Sequence, residues 1–170
     1  MIGAIIGDIV GSRFEFNNLR SKDFELFTAD CFPTDDSIMT VAIGQAIVEC
    51  QGDYSNLSRK AIECMQDLGR TYPHCGYGER FYDWIYSENP QPYSSFGNGA
   101  AMRVSGAGFA AHTLDEAKEL SYKVTAISHN HPEGLKSAES VAVAIFLARN
   151  GKTKQEIRQY IEVTIKSTSR

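Results

Sequence analysis

Residues 37–50 constrain the fold more than any other stretch. Ile38, Val41, Ala42, Ala46 and Glu49 fall on one helical spacing, and Met39, Ile43 and Ile47 make the remaining surface of that helix apolar. A helix that is apolar almost all round is a buried central helix, and other elements must cover it. No clear alternating strand pattern occurs elsewhere, so the expected class is all-α.

Residues 2–10 form an apolar run punctuated by Gly3, Gly7 and Gly11. The four-residue spacing sets these glycines on one helical face, where another backbone could approach closely. A strand is the competing reading of so short a run. Residues 14–32 are irregular and polar, with aromatics at Phe14, Phe16, Phe24, Phe27 and Phe32. A structureless stretch of that length is uncommon in a compact domain unless it serves a site.

Further helices are expected over residues 57–69 and 77–86, with Asn89-Pro90-Gln91-Pro92 as a break. Residues 93–99 read as a loop and 100–111 as a small-residue helix. Thr113-Leu114-Asp115-Glu116 is a capping box that opens a helix to about Ser128. Pro132 suits the first position of the next helix, which stops at Gly151, and residues 153–156 form another capping box. Residues 163–170 are β-branched and polar without a helical face. They read as a frayed tail or the end of a shortened reading frame.

A length of 170 residues implies one domain, here taken as residues 1–170. The net charge of -4 and the lack of any basic stripe argue against a nucleic-acid surface. Residues 1–10 are too short to span a bilayer, contain Asp8 and lack the features of a secretory signal. Cys31, Cys50, Cys64 and Cys75 show no C-x-x-C spacing and read as reduced thiols in a cytoplasmic protein.

Four stretches carry chemistry. In Thr34-Asp35-Asp36-Ser37, two adjacent carboxylates stand at the mouth of the central helix. Their repulsion costs roughly 3 kcal/mol at about 5 Å and an effective dielectric of about 20. A helix N-terminus offsets part of that, and a hard divalent cation with oxygen ligands offsets far more. A solvated N-cap is the plainer alternative. In Gly7-Asp8-Ile9-Val10-Gly11-Ser12-Arg13-Phe14-Glu15, Asp8 lies inside an apolar run and needs a partner if buried, and Glu15 by itself reads as a loop acid.

In residues 94–103, Gly97 and Gly99 flank Asn98 before a helix, an arrangement that lets a ligand touch backbone and suits a phosphate. An Asn-Gly turn is the alternative. Gly106-Ala107-Gly108-Phe109-Ala110-Ala111 matches a dinucleotide fingerprint by letter, but no strand precedes it. In Ser128-His129-Asn130-His131-Pro132-Glu133, zinc is not indicated, because a third strong ligand at the right spacing is missing. His129 reads as a ligand contact and His131 as a helix-start residue.

Together, Gly7-Asp8-x-x-Gly11-x-x-x-Glu15, Thr34-Asp35-Asp36-Ser37, Gly97-Asn98-Gly99-x-x-Met102-Arg103 and Ser128-His129 resemble the ADP-ribosylglycohydrolase family in order and spacing, over about residues 1–150. The resemblance implies an orthogonal multi-helix, all-α domain whose cleft holds two Mg²⁺ or Mn²⁺ ions. It implies Thr34, Asp35 and Asp36 as metal ligands, and Glu15 and Asp36 as catalytic acids. Ser95, Phe96, Gly97, Asn98, Gly99 and His129 become the contacts to ADP-ribose.

The implied reaction is hydrolytic removal of ADP-ribose from a modified protein or other acceptor. The family's C-terminal Asp-x-Asp-Thr has no counterpart, since the last aspartate is Asp115. The chain therefore reads as C-terminally truncated, with an incomplete second metal site. It is either a hydrolase or a non-catalytic ADP-ribose-binding remnant. An apolar face left uncovered would favour self-association.

Overall fold

Eight α-helices make up the regular structure of residues 1–167, the part of the chain that the computed structural model describes, apart from three short 3₁₀ turns. They are α1 (Ile2–Gly11), α2 (Asp35–Glu49), α3 (Leu57–Thr71), α4 (Glu79–Tyr86), α5 (Ser105–Ala110), α6 (Leu114–Thr125), α7 (Pro132–Arg149) and α8 (Lys154–Ser167). No strand occurs among the described residues, so the all-α expectation holds. No described helix is long and apolar enough to cross a membrane.

Two helices organise the packing. α2 lies against α1, α3 and α5, while α7 lies against α5, α6 and α8. Met39, Ala42, Ile43 and Ala46 of α2 are fully buried with Leu57 and Met65 of α3, Ile85 of α4, and Leu120 and Val124 of α6. Each large aliphatic side chain buried this way contributes about 1.5–3 kcal/mol. α2 is not buried all round, however. No described helix covers the side carrying Val41 and Val48, which stay 43 % and 75 % exposed.

The first helix departs from expectation in how it uses its glycines. A Cβ built on Gly3, Gly7 or Gly11 would meet nothing within 4 Å, so this face is open rather than packed on a second backbone. Close approach occurs instead at Gly108, where a Cβ would lie 2.4 Å from the Ala142 carbonyl oxygen. The letter match to a dinucleotide fingerprint is thus a packing feature that seats α5 on α7.

Local signals place most helix starts correctly. Thr113 Oγ1 accepts from Glu116 N, Thr153 Oγ1 accepts from Glu156 N, and His131 caps α7 by accepting from Glu133 N. α6 ends at Thr125, three residues short of the expected end. Residues 100–111 do not form one helix. A 3₁₀ turn over Asn98–Ala100 is followed by turns and then by the short α5. Tertiary bonding explains the break, because Thr40 Oγ1 donates to the Met102 carbonyl, and glycines at 97, 99, 106 and 108 weaken helix propagation. At the other end, α8 continues through Ser167 where the pattern suggested a frayed tail; residues 168–170 lie outside the described part.

Candidate active site

The site is assembled around the start of α2. Asp8, on α1, accepts hydrogen bonds from Thr34 N (2.9 Å), Thr34 Oγ1 (2.5 Å) and Ser37 N (3.1 Å). This is the partner that an acid inside an apolar run requires. Thr34 is the N-cap in extended backbone, and its Oγ1 also accepts from Asp36 N at 3.3 Å. Asp35 N donates to the Cys75 carbonyl at 2.7 Å, which fixes the first turn from the far side.

These contacts hold Asp35 and Asp36 on the wall of an open cavity of about 560 Å³, whose lining also includes Asp8, Glu15, Thr34 and Asn98. Ala4, Gly7 and Gly11 of α1 form part of the same wall, so the open glycine face borders the acids. Burial raises the Asp35 carboxyl to about 7, with the charges of Asp36, Glu15 and Asp8 adding to the effect. Asp36 is raised as well, by burial first and then by Asp8 and Glu15. None of the three negative neighbours of Asp35 forms an ion pair with Lys, Arg or His among the described residues. All donors here are oxygen, the chemistry that suits a hard divalent ion. Among the described residues, no three His, Cys, Asp or Glu side chains converge tightly enough to form a ready-made cage.

A second cavity, of about 330 Å³, shares Asp35 and Met102 with the first, so the two form one cleft. Its wall includes Arg80, Phe81, Tyr93, Ser95, Gly97, Gly99 and His129. The 93–99 loop is tied to the α6–α7 connection, since Tyr93 N donates to the Ser128 carbonyl (2.9 Å) and Ser94 N to Asn130 Oδ1 (2.7 Å). His129 is 5 % exposed and sits between the rings of Phe81 (6.0 Å) and Tyr93 (5.2 Å). Burial lowers its pKa to about 3, helped by the charge of Arg103, so the imidazole is neutral at physiological pH. A Cβ at Gly99 would lie 2.6 Å from His129 Nε2, which is why a glycine stands there.

The structure therefore brings Glu15, Thr34, Asp35, Asp36 and Asn98 to the acidic cavity, and Ser95, Gly97, Gly99 and His129 to the neighbouring one. Phe96 lies on neither wall. Its ring is 74 % exposed and packs 5.1 Å from His131. In place of the helix expected from Ala100, a three-residue 3₁₀ turn over Asn98–Ala100 leads into further turns, so this stretch offers no sustained row of free N–H groups to a phosphate. Sequence reasoning missed Arg80 and Tyr93, which meet in a cation–π contact at 4.9 Å. It also gave no role to Arg103, fully buried behind His129. No motif or spacing signals Arg80 or Tyr93, and the motif that contains Arg103 does not reveal its partner Ser128, 25 residues away.

The sequence model of the ADP-ribosylglycohydrolase family matches residues 1–170 of this chain. The chain is also similar to the ADP-ribosylhydrolase ARH3 of Xenopus tropicalis, with 26 % identity over an alignment 180 residues long, gaps included, that takes in 92 % of this chain. The match spans 51 % of the relative's length, so this chain corresponds to about half of it.

Proposed function

The chain belongs to the ADP-ribosylglycohydrolase family, and from that premise we propose that its cleft binds an ADP-ribosyl group and hydrolyses its bond to a protein or other acceptor, with Mg²⁺ or Mn²⁺ at the acidic end. The observation that carries the reading is the junction at Asp35. Repelling carboxylates on one side meet a neutral, aromatic-flanked histidine on the other, within one cleft. A nucleotide sugar asks for both environments, since the reacting sugar carbon gains positive charge and the rest of the ligand offers hydrogen-bond acceptors.

Asp35 and Asp36 would hold the cation, with Thr34 Oγ1 keeping one lone pair free for it after its bonds to Asp8 and Asp36 N. Bound there, a divalent ion would neutralise the paired carboxylates and acidify nearby water. The protein's own groups do the rest. Glu15 or Asp36 takes a proton from the attacking water. The water oxygen bonds to the anomeric carbon, the bond to the acceptor breaks, and its electron pair leaves with the acceptor, which gains a proton. The carboxylate-rich wall favours the positive charge that builds on the sugar.

A second reading is motivated by the coverage of the match, which spans 51 % of the relative's length. In it, the cleft binds ADP-ribose without turnover. Calorimetry with Mg²⁺ and ADP-ribose, followed by assay of release from ADP-ribosylated arginine, serine and DNA-base substrates, separates the two. Metal-dependent binding with release supports the hydrolase. Binding without release from any linkage supports the second reading, and no binding at all removes both.

A further inference from the structure

Behind His129 runs a chain of hydrogen bonds whose direction can be worked out from its first member. Arg103 is fully buried, and a guanidinium only donates. Its Nη2 donates to Ser128 Oγ at 2.6 Å, while also meeting the Val124 and Thr125 carbonyls at 3.2 and 3.3 Å. Ser128 Oγ lies 2.9 Å from His129 Nδ1. Ser128 is itself 0 % exposed, and among the described residues His129 Nδ1 is the one acceptor that the contacts of its hydroxyl place within reach. If Nδ1 carried the proton, the serine hydroxyl proton would be stranded in the interior, a worse outcome than losing a hydrogen bond.

We infer that Arg103 and Ser128 are positioning residues that lock His129 as the Nε2–H tautomer, so that this wall of the cleft presents hydrogen-bond donors to an acceptor oxygen of the bound nucleotide sugar. The direction continues past the imidazole. His129 Nε2 stands 3.5 Å from the Tyr93 hydroxyl, whose oxygen accepts and whose own proton is left for the cavity. Burial pushes the Tyr93 phenol up to about 12, so that proton stays in place at working pH. Each member thus donates to the next, and the last faces the ligand. Two other Arg103 nitrogens, Nε and Nη1, have no hydrogen-bond partner among the described residues, which leaves the Nη2 contacts as the side chain's polar anchorage.

The choice of ligand atom rests on the reading in the previous subsection, but the tautomer does not, and the test separates them. In the full chain with ¹⁵N-labelled histidine, NMR at neutral pH is expected to show a bare, pyridine-like Nδ1 and a protonated Nε2 for His129. A protonated Nδ1, or protons on both nitrogens, overturns the inference. Ser128→Ala is expected to release the lock and give a mixed tautomer signal with an unchanged helical circular-dichroism spectrum. Ser128→Thr, which keeps the hydroxyl, is expected to restore the single form. An Nε2–H signal that persists unchanged in Ser128→Ala sinks the positioning role.

Affinity for ADP-ribose is expected to fall about three- to ten-fold in Ser128→Ala. Unchanged affinity in that variant overturns the ligand-facing half of the inference. If wild type binds no ADP-ribose, the functional reading and that half fall together, while the spectrum still decides the lock.

Discussion

At the α2 end of the cleft, Asp8, Glu15, Asp35 and Asp36 stand near one another with no cation paired to them among the described residues, whereas behind the other end Arg103 is fully buried and forms no ion pair with a described carboxylate. The two ends handle uncompensated charge differently. The acids face open space and push the Asp35 carboxyl upward, so they hold their strain where something from solvent can relieve it. Arg103 is relieved from within, in part, by two main-chain carbonyls and a serine at Nη2 and by the ring of Phe81 at 5.7 Å, while Nε and Nη1 have no partner among the described residues. One end is left unfinished toward solvent and the other is closed off. Chemistry is therefore expected at the first and orientation at the second.

The sharpest way to break that contrast is Glu15→Gln. It should lower release of ADP-ribose about 10²- to 10⁴-fold while leaving affinity for the ligand nearly unchanged. Parallel release assays and calorimetry check it, and lost binding with intact turnover would invert the assignment of the two ends.

Arg103→Ala should come next in size, costing about 3 kcal/mol through the cavity it leaves and the carbonyls it abandons. A fall in Tm of roughly 6–12 °C is expected. A Tm within a degree of wild type would mean that the buried cation is not what holds its end together.

Asp35→Asn should do the opposite. The folded Asp35 carboxyl titrates at about 7 against 3.8 for the free group, so its proton is held more tightly when folded. That contribution is fully present below about 4 and is lost as pH rises through about 7. Allowing for the group's partial exposure, the loss is about 2 kcal/mol. In metal-free protein at pH 8, Asp35→Asn should therefore raise Tm by roughly 4–8 °C, and by much less at pH 4. Thermal scans across that window test it, and equal shifts at both pH values would remove burial of the acid as the cause.

How much of this was readable in advance follows the range of each interaction. The caps at Thr34, Thr113, Thr153 and His131 bond within three residues, and their sequence signals held. Thr34-Asp35-Asp36 was legible as the start of a central helix for the same reason. Its anchoring by Asp8, 26 residues away, was legible only as an acid in need of a partner. The break at Met102 depends on Thr40, and the seat of Tyr93 depends on Ser128, which no periodicity reveals. Phe96 illustrates the converse, an aromatic in a motif-bearing loop that the fold turns away from the cavity.

The clasp of Asp8 on Thr34 and Ser37 has a practical side. α1 leaves Ile2 and Ile6 75 % and 44 % exposed, yet one of its side chains sets the first turn that carries both central acids. A bulky fusion or label that prises this helix from its seat would detune the acids without touching either of them. Purification tags therefore belong at the far terminus, and a preparation tagged at the front that fails to bind metal says little about the native cleft.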